Sequence, residues 1–374
     1  FNTPGTPDAL LTTFDGYPMT QKGQSGKALR VAHFSSASGD TFSDIVLFTT
    51  APFLALLVES YLGFTEKAAL IILSLSFISA VVGTSVLKGL MATFLGLFLA
   101  LIANGEDPYP RLTLGLTEFT QGIPLISAIL GVLILGEVFK ALEDMHNERK
   151  RTNKIQLTKQ SGDNKLHWAD IRRVYRYVLM SAGIGTFIGA LPGIGSTLAA
   201  TMGYSVGRET SGKAEEFGTG IPEGVASTEA ANSAVSGANL IPVLSLGIPG
   251  NVAAVFLILA TESISGFNPG PPVFNFNPTE PNPELIMCFG IFTIMVLGNI
   301  FNWTIGGIFM RLTGVMVYIP KAYLLPCVLL LTLTSIYVRD TTMSSVYVAV
   351  AFGFLGYLMR TFNMSVLPFV IAFI

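Results

Sequence analysis

The chain has 374 residues, of which 51% are hydrophobic and only 12% are Asp, Glu, Lys or Arg. A soluble domain carries about 25% charged residues, so a soluble globular protein is excluded on composition. The net charge of −2 identifies no polyanionic partner, and two cysteines, Cys288 and Cys327, supply neither a disulfide framework nor a metal-binding spacing.

Charged residues are also segregated along the chain. Charge-free runs cover Ala68–Leu87, Gly89–Gly105, Phe119–Gly136, Tyr177–Gly207, Ala230–Thr261, Leu285–Met310, Ala322–Val338 and Thr341–Met359. Most approach or exceed the roughly 17–25 residues a helix needs to cross about 30 Å of hydrocarbon. Eight such runs in one chain are not all soluble core. The expected fold class is all-α: a polytopic membrane protein of about 9–11 transmembrane segments, with re-entrant or broken helices in inverted-topology repeats.

From the start, the stretch up to Arg30 carries Lys22, Lys27 and Arg30, and the positive-inside rule places it in the cytoplasm. Crossings are then expected at Ile45–Val58, Ala68–Leu87, Gly89–Gly105 and Phe119–Glu137. Asp40 and Asp44, at i and i+4 beside Ser36, Gly39 and Ser43, either line the pathway or sit at the cytoplasmic interface. The polar stretch Glu143–Arg173 holds eight basic residues (Arg149, Lys150, Arg151, Lys154, Lys159, Lys165, Arg172 and Arg173). The crossing count returns the chain to the cytoplasm at that stretch, in agreement with its charge. A basic run beside transmembrane helices reads as an orientation signal, so no nucleic-acid partner is expected. Three parts follow: 1–142 as a first transmembrane repeat, 143–173 as a cytoplasmic basic loop, and 174–374 as a second repeat. Both ends read as cut within larger repeats. The later polar stretch Glu262–Glu284 contains no Lys or Arg and reads as an external loop.

Four Gly/Pro clusters interrupt apolar sequence: Asn2–Pro7, Gly189–Gly195, Gly220–Gly224 and Gly247–Asn251. The first and last resemble one another and lead toward opposite sides, the mark of an inverted repeat. Irregular backbone survives at membrane depth only where it is buried in protein or lines an aqueous cavity. A half-helix that restarts there points its positive dipole end at the break. Asn2, Thr3, Gly5, Thr6, Gly193, Gly195, Gly247, Gly250 and Asn251 are therefore the expected binding groups for an anionic substrate.

Between two breaks, Glu229, Asn232, Ser236 and Asn239 fall at i, i+3, i+7 and i+10 of a segment otherwise filled by small residues. A polar stripe in a spanning helix is costly and marks an ion or substrate path, so these four are the expected coupling-ion ligands. Glu223 and Glu229 have an alternative placement as solvated charges at the membrane surface. Gly207–Lys213 mimics a phosphate-binding loop, but Ala214 replaces the Ser or Thr that would hold Mg²⁺. No enzymatic role and no cofactor are expected beyond Na⁺ or H⁺ as coupling ion.

Three groups of motifs resemble the large membrane subunit of the tripartite tricarboxylate transporters. They are Asn2–Pro7 with Asp15-Gly-Tyr-Pro-Met19, Lys22-Gly23 and Gly26–Leu29; Gly189–Gly195; and Glu223–Ala226, Glu229–Asn232 and Leu240–Pro242 running to Leu246–Gly250. The resemblance implies a permease subunit of the bacterial inner membrane, importing tricarboxylates or related carboxylates on a cation gradient. It also implies two partners, a small four-helix membrane subunit and a periplasmic solute-binding protein. A standalone carboxylate symporter and an intramembrane enzyme using Glu223 and Glu229 are the rival readings.

Overall fold

A computed structural model describes residues 7–61, 85–102, 123–148, 165–192, 195–266, 269–274, 282–309 and 321–373, with a few positions between 63 and 73. Among the described residues every regular element is helical. Five helical segments are long and apolar enough to cross a membrane: Ser25–Val58, Leu125–His146, Pro283–Phe309, Tyr323–Asp340 and Met343–Thr361; Val86–Leu101 and Val252–Ser263 are shorter apolar helices. The all-α polytopic expectation is borne out, and the chain is a multi-pass membrane protein. Ala68–Leu87, the basic segment 149–164 and the external segment 275–281 lie largely or wholly outside the described residues.

The helices form two compact units, 1–69 with 156–312 and 70–155 with 313–374. Each unit draws on sequence from both sides of the basic loop.

The first unit contains α1 (Pro7–Gln21), α2 (Ser25–Tyr61), α6 (Trp168–Gly189), α7 (Gly195–Thr210), α8 (Pro222–Ala238), α9 (Leu240–Leu246), α10 (Val252–Ser265) and α11 (Pro283–Phe301). Its second element departs from expectation. The crossing expected at Ile45–Val58 belongs to one helix of 37 residues that begins at Ser25. Ser, Gly and Asp from 35 to 44 depress local hydropathy, but packing against α8 keeps that stretch helical. Asp40 and Asp44 consequently lie mid-helix.

At the centre of this unit is α8, buried along nearly its whole length. Its neighbours approach to backbone contact. A Cβ on Gly39 of α2 would lie 2.4 Å from the Ala230 carbonyl oxygen, and one on Gly185 of α6 would lie 2.2 Å from that of Ala231. Small residues are the means by which membrane helices gain van der Waals contact, since lipid offers no hydrophobic drive for association. By contrast, α11 turns Ile286, Phe289, Ile294, Leu297 and Ile300 outward, the composition expected of a lipid-facing surface.

The second unit contains α3 (Val86–Leu101), α4 (Leu125–Leu130), a π-helical turn (Gly131–Leu135), α5 (Gly136–Glu148), α12 (Lys321–Asp340), α13 (Met343–Thr361) and α14 (Val366–Phe373). The π turn packs on α13, where a Cβ on Gly131 would lie 2.3 Å from the Ala349 carbonyl oxygen. Arg360 enters the turn, donating to the carbonyls of Val132 (2.9 Å) and Leu133 (3.1 Å) and to Glu137 Oε2 (2.8 Å).

Candidate functional site

The two ends of α8 are built differently. At its start, Pro222 occupies the first turn, where its missing N–H costs nothing. The preceding loop is held by Asp15 of α1. That fully buried carboxylate accepts from the backbone N–H groups of Gly218 (3.0 Å), Gly220 (2.8 Å) and Ile221 (3.0 Å) and from the Tyr204 hydroxyl (3.0 Å). Gly220 has φ +97°, and a Cβ there would press on Pro18 and Met19. The Asp15–Met19 motif is thus a clamp on the Gly220–Gly224 break. Lys22 donates to the Thr219 carbonyl (2.8 Å), Arg173 pairs with the buried Glu223, and Lys27 pairs with Asp170 (2.7 Å). Glu223 is neither solvated nor unpaired.

The other end of α8 carries the remaining breaks. Asn239 closes the helix, α9 follows, and Gly247 ends α9 in the left-handed conformation (φ 74°). After Ile248-Pro249-Gly250, Asn251 caps α10 by accepting from the Ala254 N–H (2.7 Å). A Cβ on Gly250 would meet Asn239 Oδ1 at 3.1 Å and Pro192 Cα at 3.5 Å. The second and fourth Gly/Pro clusters therefore meet, with Asn239 wedged between them at 2% exposure. The third cluster does not join them. It sits at the opposite end of α8, about 25 Å away at 1.5 Å per residue. Asn2, Thr3, Gly5, Thr6 and Gly193 lie outside the described residues. Gly195 begins α7 with φ +77°.

Beside the meeting of the breaks lies a cavity of about 440 Å³. Asp40 and Asp44 of α2, Ser236 of α8, Asn251 with Ala253 and Ala254 of the first turn of α10, and Asn299 and Asn302 of the α11 segment all line it. A second cavity of about 230 Å³ shares Asp44 and Asn299 and extends to Thr41 and Trp303. The polar stripe is divided between partners. Glu229 accepts from Thr12 Oγ1 (2.6 Å), the Ser233 hydroxyl meets Ser36 (2.6 Å), and Ser236 donates to Asp40. Asn232 is half-buried on the same helix. Of the four stripe residues, only Ser236 lines the cavity.

Three polar contacts join α2 to α11 and to the turn that follows it. Asn299 Nδ2 donates to Asp44 Oδ2 (2.7 Å), Trp303 Nε1 donates to Thr41 Oγ1 (3.1 Å), and His33 Nε2 lies 3.1 Å from Asn302 Oδ1. A second π-helical turn, Asn302–Gly306, begins where the cavity wall ends. Sequence reasoning does not single out Asn299 and Asn302, because Leu285–Met310 is a charge-free run. The available signal was two carboxamides three residues apart inside it, where polar groups are costly unless they face protein.

Among the described residues no three His, Cys, Asp or Glu side chains converge on a metal-sized site. The arrangement is a largely apolar chamber in a membrane protein, with a restarting helix on one wall and two carboxylates on the other. Residues 1–371 match the model of the tripartite tricarboxylate transporter TctA family. The chain belongs to that family. This TctA-family chain is 32% identical over 383 residues to an uncharacterized 52.8 kDa protein from the TAR-I ttuC′ 3′ region of Agrobacterium vitis, an alignment covering all of the chain and 72% of that protein. It is 31% identical over 194 residues to an uncharacterized protein from the TAR-II ttuC′ 3′ region of the same organism, covering 51% of the chain and 75% of the relative. No solved structure matches the chain significantly. As a TctA-family member it is a transporter permease subunit.

Proposed function

We propose that this permease imports tricarboxylates or related carboxylates across the bacterial inner membrane, driven by a Na⁺ or H⁺ gradient. A periplasmic solute-binding protein delivers the substrate, a small four-helix membrane subunit completes the complex, and segment 143–173 faces the cytoplasm. The observation that carries the reading is the chamber at the restart of α10. The first turn of that helix presents backbone N–H groups that have no helical acceptor, and the helix dipole favours negative charge there. A carboxylate held between Asn251 and the Gly247–Gly250 break would meet both.

The binding groups are Asn251, Gly247 and Gly250, with Gly193, Gly195 and the N-terminal Asn2, Thr3, Gly5 and Thr6 contributed by the matching breaks. The stripe Glu229, Asn232, Ser236 and Asn239 leads the coupling ion to them, and the two halves of the chain, 1–142 and 174–374, act as inverted repeats. The carboxylates opposite the α10 terminus make an anion without its cation a poor occupant. The permease supplies binding and passage and carries out no covalent step.

The test is uptake of radiolabelled tricarboxylate by cells expressing the whole complex, with the cation gradient present or collapsed and the binding protein present or deleted. Asn251→Leu is expected to lower uptake about tenfold or more at unchanged surface expression. Uptake at the wild-type rate in that variant refutes the substrate site. Uptake indifferent to the binding protein would instead favour a standalone symporter.

A further inference from the structure

Two carboxylates stand in the chamber, and among the described residues no positive charge matches them. Asp40 and Asp44 are one helical turn apart on α2, and no Lys, Arg or His among the described residues lines the cavity. Asp44 is 6% exposed. Asn299 satisfies its Oδ2, but among the described residues no hydrogen bond reaches Oδ1, which lies against Gly237, where a Cβ would approach it to 2.2 Å. Among the described residues Asp40 accepts from the Ser236 hydroxyl alone. Ionised groups within a spanning helix are expensive unless paired, and like charges this close on one helix face repel.

We infer that the chamber holds a sodium-sized monovalent cation, with Asp40 and Asp44 as charged ligands and Ser236 and Asn299 as neutral oxygen ligands. Carboxylate, hydroxyl and carboxamide oxygens are the donor set of hard, oxygen-preferring cations, and among the described residues no histidine or cysteine lines the cavity to favour a softer metal. The assignment rests on the permease reading and deepens it. The first turn of α10 lines the same chamber, so the cation neutralises the wall facing the carboxylate site. Cation binding then precedes anion binding, because the empty chamber repels a carboxylate and the loaded one accepts it.

The experiment measures binding of radioactive sodium to the purified membrane complex in lipid nanodiscs, without carboxylate and at fixed pH and ionic strength. Saturable binding is expected, weakened about tenfold or more in both Asp44→Asn and Asp40→Asn, and within about twofold of wild type in Glu209→Gln, an exposed carboxylate on α7. Elution profile and thermal midpoint establish that each variant is folded. Asp40 is the less buried of the pair, so its variant keeps the test intact where Asp44→Asn does not fold. A second readout is available because the chain has two tryptophans. Trp168→Phe removes an exposed one and leaves Trp303 beside Asp44 and Asn299, and its fluorescence should follow the same sodium isotherm. Absence of sodium binding by the wild type overturns the assignment, as does binding unaltered in a folded aspartate variant or lost only in Glu229→Gln. A response to pH with none to sodium also overturns it. Because no transport step enters the assay, sodium binding lost on removing Asp44 in a complex that imports no carboxylate would sink the permease reading alone.

Discussion

Each unit contains a helix with a π-helical turn, and the two turns are treated in opposite ways. In Gly131–Leu135 the displaced carbonyls of Val132 and Leu133 are taken up by Arg360, which Glu137 holds in turn. In Asn302–Gly306 no guanidinium enters among the described residues; His33 reaches Asn302, and the turn adjoins the chamber. One backbone irregularity is sealed by a charged side chain and serves packing. The other stays beside the cavity that holds Asp40 and Asp44, and such turns are often found at functional sites. A π turn is therefore informative only together with what satisfies it.

The sharpest way to break that contrast is to unseal the first turn. Arg360→Met leaves two carbonyls and Glu137 without their donor, and should cost about 3 kcal/mol. The readout is a lower thermal midpoint of the detergent-solubilised protein, with uptake falling only in proportion to folded protein and with unchanged apparent substrate affinity. Asp15→Ala tests the clamp on α8 in the other unit. It strands three backbone N–H groups and a tyrosine hydroxyl, and a loss of about 2–4 kcal/mol is expected, visible as reduced yield of folded protein and earlier proteolysis in the segment 211–221. Asn302→Ala should be the mildest for stability, within about 1 kcal/mol, yet should reduce uptake about tenfold. Equal stability losses in Arg360→Met and Asn302→Ala would erase the distinction between a sealed turn and a working one.

Much of this molecule was legible from its residues. The Pro-Gly interruptions at 190–195 and 247–251 break helices in the structure because proline removes a donor and glycine accepts a left-handed turn. The small-residue segment 222–239 is the buried centre of its unit, as its lack of bulk and its polar stripe require. Less visible was anything decided between distant segments. Asp40 and Asp44 read equally as pathway or interface because their meaning depends on Asn299, some 255 residues later. Asp15 carried only a family motif until the amides of 218–221 closed around it. The polar stretch 35–44 disguised a continuous helix, since local hydropathy does not register a partner helix that buries it.

The close meshing of α2, α6 and α7 on α8 limits what can move. Where carbonyl oxygens lie within van der Waals reach of glycine Cα atoms, sliding by even part of a turn would drive a side chain into backbone. These four helices should travel as one block. Opening of the chamber is then left to α10 and α11, which are not meshed into that block by such contacts.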